Sequence, residues 1–385
     1  TLSRPRRQRQ MCIRDRLDAL PYNVEGDGST FSELERTRIV DIWHRVAEDL
    51  APYDIDVTTE EPSRFNSTTG TILVTHSIDA NGNTINCGSC GGVAYVNVFG
   101  RSDYHTVYSP ALVFYNKLGA GGETYVAEAS SHEFGHNLGL SHDGTTTGQT
   151  YYGGHGAGLV SWAPIMGNSY NNNVTEWSSG EYANANQSQD DLAIIEGKLG
   201  YEPDDHGDTR AQASSLVVAA DGSVISSNPE LDPNNTLTEN KGVIGSADDV
   251  DVFSFVAGAG PVNLSVRPSW DAFYRTSNRR GANLDVEAEL LDQGGLLFGR
   301  PGELLQFTDP GTGFRVDPDF IQPVALPGTA LPGEHNVLRV EVEVEALEHP
   351  ALQLRDQFGN LPGFQVEGAQ IPARQPLRVE ILGVV

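Results

Sequence analysis

A short segment, residues 132–143, reads His-Glu-Phe-Gly-His-Asn-Leu-Gly-Leu-Ser-His-Asp. Residues four apart on a helix share one face, so His132 and His136 can direct two imidazoles at one ion. Gly139 permits a sharp chain reversal that returns His142 as a third ligand. Three neutral nitrogens leave the fourth tetrahedral position open, as in catalytic zinc sites. The spacing therefore predicts a single Zn²⁺ held by His132, His136 and His142.

Glu133 follows the first histidine, where its carboxylate lies beside the metal and not on it. Zinc lowers the pKa of water to about 7 and polarises a carbonyl, while Glu133 can accept the proton of the water and deliver it to the leaving amine. This predicts a zinc-dependent metalloendopeptidase that acts on protein or peptide substrates, with Glu133 as general base. The alternative interpretation of the three histidines is a cluster on the protein surface that binds no metal. The alternative function of the whole chain is that of an extracellular binding or adhesion protein whose metal site is vestigial.

Several predicted elements surround these residues. Ser32 and Glu35 form a capping box ahead of an amphipathic helix over 32–50. A second helix over 123–138 ends at Gly139, a residue suited to a left-handed cap, and a third helix covers 188–199. Short runs at 54–59, 71–75, 93–99 and 111–115 have strand character. Together they predict an α/β (α+β) unit that ends near residue 200.

A methionine follows the histidines within Trp162-Ala-Pro-Ile-Met-Gly. The pattern H-E-x-x-H-x-x-G-x-x-H with downstream Met166 resembles the metzincin clan of zinc peptidases, and Asp143 directly after His142 is similar to its reprolysin (adamalysin-like) branch. The resemblance spans about residues 17–200. It implies a twisted mixed sheet, an active-site helix and a methionine turn under the histidines. It also implies a strand before the first helix; none is predicted before Ser32, so we expect the first strand of domain 17–202 to be missing.

The sequence changes in character after residue 202. Runs at 250–256, 262–266, 284–291 and 337–344 have strand character and predict an all-β sandwich over 203–385. Several of its segments resemble the bacterial pre-peptidase C-terminal (PPC) domain. Asp204, Asp205 and Asp208 offer hard oxygen ligands and are candidates for a calcium site; solvated linker acids are the alternative.

Charge and composition restrict the partners. The formal net charge is −27, although residues 1–16 hold six arginines against one acid. An acidic body of this kind repels nucleic acid and anionic membranes, and no apolar run is long enough for a membrane span. We expect a secreted, extracellular, monomeric protein. Segment 1–16 resembles translated adapter sequence and is predicted to be non-native or disordered, so that the signal peptide lies outside this chain.

The spacing of the cysteines indicates whether the protein contains a disulfide, as secreted proteins often do. Cys87 and Cys90 form a C-x-x-C pair, and the chain holds no second such pair to complete a four-cysteine zinc site. A local structural disulfide between Cys87 and Cys90 is predicted, with half a metal site and a redox pair as alternatives.

Overall fold

The computed structural model describes residues 17–26, 30–85, 88–158, 161–219, 240–246, 249–256, 262–264 and 281–283, and the segments 287–291, 297–299, 308–309, 312–316, 345–346 and 376–382. The predicted segment 1–16 lies outside them. By contacts the chain divides into a first unit (Thr1–Glu202, Thr276–Asn283 and Leu331–Glu334) and a second unit (Pro203–Arg275, Leu284–Ala330 and His335–Val385). The domain boundaries 17–202 and 203–385 stay predictions.

Helix α1 (Glu33–Asp49) begins at the predicted capping box. The Ser32 hydroxyl accepts a hydrogen bond from the Glu35 N–H at 3.1 Å, and the Glu35 carboxylate accepts one from the Ser32 N–H at 3.0 Å. Two otherwise unpaired backbone donors are thereby satisfied. The helix packs against α2 (Glu123–Leu138), which carries the histidine motif.

The sheet of the first unit has three strands in the order β1 (Ile72–Thr75), β3 (Ala111–Phe114), β2 (Gly92–Val93). Strands β1 and β3 are parallel, whereas β2 and β3 are antiparallel. The mixed sheet and the predicted α/β class are thus confirmed for this unit. The central strand β3 is buried along its whole length, which suits its run of apolar residues.

Residues between the sheet and the helices form a continuous apolar core. One cluster includes Phe134 and Leu138 of α2, Met166 and Trp177. A second cluster gathers Tyr22, Val113, Tyr115, Leu118, Val126 and Ala129. The face of α2 opposite His132 and His136 is therefore fixed in the protein interior.

Two predicted strands are wrong in extent. Residues 54–59 form no strand: Ile55 and Val57 pack against the core, while the Val57 carbonyl accepts a hydrogen bond from the Trp43 indole at 2.5 Å. Of the predicted strand 93–99 only the first residue belongs to β2. Beyond it the chain turns to the end of α2, where the Asn97 N–H donates to the His136 carbonyl at 2.8 Å. Residues 17–26 and 30–31 contain no strand.

The rest of the first unit follows the C-terminal end of α2 in the chain. Strands β4 (Trp162–Pro164) and β5 (Val174–Glu176) are parallel, and α3 (Asp191–Leu199) follows. The predicted start of this last helix at 188 is too early. Asp190 is its N-cap and accepts a hydrogen bond from the Ala193 N–H at 3.0 Å.

The regular elements described in the second unit are all strands. Its strands are β6 (Ser214–Ser215), β7 (Val250–Val256), β8 (Val262–Leu264), β9 (Glu287–Leu291), β10 (Leu297–Gly299), β11 (Thr308–Asp309), β12 (Thr312–Val316), β13 (Glu345–Ala346) and β14 (Pro376–Leu382). They form two sheets, ordered β10-β9-β14-β7-β6 and β11-β12-β8-β13. The predicted strand 337–344 lies outside the described residues, and the packing of the two sheets as a sandwich stays a prediction.

Candidate metal centre

Helix α2 ends as the histidine motif requires. Gly139 has φ 125°, a conformation that L side chains rarely adopt, and its N–H donates to the carbonyls of Gly135 and His136 at 3.0 Å each. The Leu140 N–H donates to the same Gly135 carbonyl at 2.9 Å. These bonds end the helix in a tight reversal, which brings His142 back towards the helix.

The three histidines meet at one point. Ring centroids lie 4.9 Å apart for His132 and His136, 5.2 Å for His132 and His142, and 4.7 Å for His136 and His142. One ring nitrogen from each lies within 4.8 Å of the other two. This set forms the three-histidine site that the spacing predicts.

Backbone carbonyls hold two of the rings by the nitrogen that faces away from this point. His132 Nδ1 lies 2.8 Å from the Ile165 carbonyl oxygen, and His136 Nδ1 lies 2.8 Å from that of Leu140. Each carbonyl requires a hydrogen on Nδ1, so the lone pair lies on Nε2. His136 Nε2 and His142 Nε2 are 2.9 Å apart. Tetrahedral zinc with bonds of about 2.0–2.1 Å places ligand nitrogens about 3.3–3.4 Å apart, within about half an ångström of this pair, so the residues fit a zinc ion.

Burial keeps the rings neutral. It lowers the pKa of His132 to about 3 and that of His142 to about 4, with a further contribution from His136 in both cases. The pKa of His136 is also lowered by burial. Neutral imidazole is the form that binds a metal.

Glu133 lies in a narrow space under the edge strand. Its side chain is 7 % exposed, and burial raises its pKa to about 8. A β-carbon built on Gly92 of β2 would lie 2.5 Å from Glu133 Oε1. Only glycine therefore leaves room for this carboxylate, whose other oxygen, Oε2, accepts no hydrogen bond from a described residue.

Two further residues of the motif lie in the supporting structure. Met166 is fully buried, and its sulfur would be 2.7 Å from a β-carbon on Gly135, the residue before His136. Asp143 is also fully buried; its carboxylate accepts hydrogen bonds from Gln187 and from the Tyr182 hydroxyl. Burial raises the pKa of Asp143 to about 6.

Tyr151 is a residue of this site that the sequence did not single out. Its ring centroid lies 4.5 Å from that of His142 and 6.1 Å from that of His132, and it is 44 % exposed. It belongs to a glycine-rich stretch without regular structure. An aromatic residue in such a stretch carries no sequence signal of a function.

The other predicted site residues lie apart from the histidines in sequence. Asp204 and Asp208 group with Asp249, and Asp204 and Asp205 group with Asp251, each set with carboxylate oxygens within 4.8 Å of one another. Asp249 and Asp251 were not foreseen. Cys90 is disulfide-bonded, whereas Cys87 lies outside the described residues, so the pairing of the two stays a prediction.

Comparison with known proteins points to one class. The model of the metallo-peptidase family M12B, reprolysin-like, matches residues 51–143, which include all three histidines and end on Asp143. This match supports a zinc metalloprotease whose substrates are proteins or peptides. No curated protein matches the chain, and no solved structure matches it. The matched residues do not extend to 203–385, for which the likeness to a PPC domain stays a prediction.

Proposed function

We propose that the chain is a secreted zinc endopeptidase of the metzincin type in which Glu133 is the general base. The observation that carries the proposal is the meeting of His132, His136 and His142 at one point with Glu133 next to the first of them on the same helix. Zinc, when bound, supplies an acidified water and polarises the scissile carbonyl.

The chain's own residues then account for proton movement. Oε2 of Glu133, which has no hydrogen-bond partner among the described residues, can accept a proton from the attacking water once the carboxyl is ionised, a state that the positive charge of bound zinc favours. The same carboxyl can release that proton to the departing amine nitrogen, so the carboxylate is restored when the peptide bond has broken. Glu133 is almost excluded from solvent, which keeps bulk water from competing for the proton.

The edge strand supports an extended peptide as substrate. Strand β2 is the outer strand of its sheet, and among the described residues its free side pairs with no strand. Gly92 of this strand borders Glu133, so a peptide that adds to the free edge passes the catalytic carboxylate. Exposed apolar side chains follow along the same segment, with Tyr95 55 % and Val96 53 % exposed.

The disulfide supports the proposed extracellular location. Cys90 is disulfide-bonded, and disulfides persist in oxidising surroundings such as the extracellular space. The net charge of −27 keeps such a protein soluble there. Of the helices that the structure describes, none combines the length and apolar character needed to cross a bilayer.

Substitution of Glu133 by glutamine tests the proposal. The amide keeps the shape of the side chain but accepts no proton, so cleavage of casein should fall by about 10²–10⁴-fold while bound zinc, measured by atomic emission, stays stoichiometric. Glu123→Gln, at the first residue of the same helix, is the matched control and should retain wild-type turnover. A Glu133→Gln protein with undiminished turnover would exclude Glu133 as the base.

Metal removal separates the peptidase from the adhesion alternative. Dialysis against a chelator should abolish casein cleavage, and an equimolar amount of zinc should restore it. A zinc-loaded, folded wild-type protein that cleaves neither casein nor other unfolded proteins would instead support a vestigial site.

A further inference from the structure

Five aspartates of the second unit meet at one place. Asp204, Asp205 and Asp208 precede β6, whereas Asp249 and Asp251 lie at the start of β7. Their carboxylate oxygens form two triads that share Asp204. Residues about forty positions apart in sequence therefore bring a concentrated negative charge together.

Asp251 is the aspartate of this cluster whose surroundings indicate a bound ligand. It is 0 % exposed, and neither of its oxygens has a hydrogen-bond partner among the described residues, although one lies within 4.8 Å of oxygens of Asp204 and Asp205. A buried carboxylate that is surrounded by like charges is costly unless a cation compensates it.

Gly242 shapes the space around Asp251. A β-carbon at Gly242 would lie 1.9 Å from Asp251 Oδ2, so any side chain at position 242 would displace the carboxylate. The backbone thus encloses one side of the aspartate and leaves it directed at its acidic neighbours.

The other four carboxylates are oriented by the backbone. Each accepts a hydrogen bond through one oxygen from a main-chain N–H. The pairs are Asp204 Oδ1 with His206 (3.0 Å), Asp205 Oδ1 with Val243 (3.3 Å), Asp208 Oδ1 with Val250 (3.2 Å) and Asp249 Oδ2 with Gly245. Bonds of this kind fix the direction of metal-binding carboxylates.

The chemistry of the donors selects the cation. His206 adjoins the cluster, but its Nδ1 lies 2.7 Å from Ser214 Oγ and its Nε2 lies 2.7 Å from the Lys241 carbonyl oxygen. With both nitrogens engaged, oxygen atoms alone remain as ligands. Calcium prefers six to eight oxygens in flexible geometry, whereas zinc prefers nitrogen and sulfur.

We propose that Asp204, Asp205, Asp208, Asp249 and Asp251 form a calcium site that ties the segment before β6 to the start of β7. The bound cation neutralises the buried Asp251 and joins two distant parts of the second unit. The site includes none of His132, His136 and His142, so the test of calcium binding is independent of the test of peptidase activity.

Calcium titration of the full chain tests this site. Zinc-loaded protein that has been freed of calcium is titrated by isothermal calorimetry and melted with and without calcium. We expect a dissociation constant of about 10⁻³ M or tighter and a melting temperature about 5 °C higher at a hundredfold excess over that constant. Sodium chloride at equal ionic strength should give no rise.

Asp251→Asn is the diagnostic variant. It should bind calcium at least tenfold more weakly, yet melt no lower than wild type in the absence of calcium, because the amide replaces a carboxyl group that accepts no hydrogen bond from a described residue. Asp204→Asn should also lose the calcium-dependent rise in melting temperature. This second variant keeps the test decisive if Asp251→Asn does not fold. Glu202→Gln removes an exposed charge outside the cluster and should respond like wild type.

Three results would overturn the proposal. The first is a wild-type protein that shows neither heat of binding nor a shift in melting temperature. The second is an Asp251→Asn protein with the full calcium response. The third is an equal response to magnesium, which would exclude calcium as the preferred cation.

Discussion

Replacement of Gly92 by alanine tests whether the position of the Glu133 carboxylate controls the rate of hydrolysis. The added β-carbon would lie 2.5 Å from Oε1, 2.6 Å from Cγ and 2.8 Å from Cδ of Glu133. Ordinary contact begins at 3.4 Å, so the carboxylate must retreat by about 0.9 Å, the difference between 3.4 and 2.5 Å. A misplacement of about 1 Å at a reacting group lowers the rate on the order of 10²-fold.

The assay compares kcat on an internally quenched peptide with zinc content and melting temperature. Gly92→Ala should lower kcat about a hundredfold and leave all three zinc ligands in place, so zinc stays stoichiometric. Gly153→Ala is the matched control, because a β-carbon there meets nothing within 4 Å, and it should match wild type. A folded, zinc-loaded Gly92→Ala protein with kcat within twofold of wild type would refute the reasoning.

Three further predictions concern stability. Gly135→Ala should lower the free energy of unfolding by about 1–3 kcal/mol, since the new β-carbon lies 2.7 Å from the Met166 sulfur; an unchanged urea midpoint would contradict this packing. Tyr104→Phe should cost about 1 kcal/mol, because its buried hydroxyl donates to Asn137 Oδ1 at 2.7 Å, and a denaturation curve that overlays wild type would count against that bond. Burial and neighbouring carboxylates raise the pKa of Asp191 well above its usual range, so its contribution to stability is fully present below the unfolded pKa of about 3.9 and is lost as the pH rises through the folded value. Asp191→Asn should therefore be more stable than wild type at pH 7 but not near pH 4; an advantage that is the same at both values would disprove the assignment.

The meeting of the three histidines could be predicted from sequence because they lie close together in the chain. His132 and His136 share a helical face, and Gly139 supplies the reversal that returns His142. The position of Glu133 under Gly92 could not be predicted, since it depends on which strand becomes the edge of the sheet. Asp251 was missed for a similar reason: only the pairing of β6 with β7 brings it to Asp204.

The two strand errors share one physical cause. Alternating apolar residues report which side chains are buried, but they do not report where backbone hydrogen bonds go. Ile55 and Val57 are half-buried as the alternation indicates, yet the Val57 carbonyl bonds to a tryptophan side chain. Residues after Val93 leave the sheet because the open carbonyls at the end of α2 accept their N–H groups.

The carbonyl-anchored imidazoles described above have a consequence for metal identity. The carbonyls of Ile165 and Leu140 fix the orientation of His132 and His136, so the protein itself directs two of the three ring nitrogens. Nitrogen donors of this kind bind divalent ions with affinities that follow the Irving–Williams order, in which copper exceeds zinc. The ion that occupies the site therefore depends on which metals are available around the protein. An excess of copper should displace zinc and inactivate the protein.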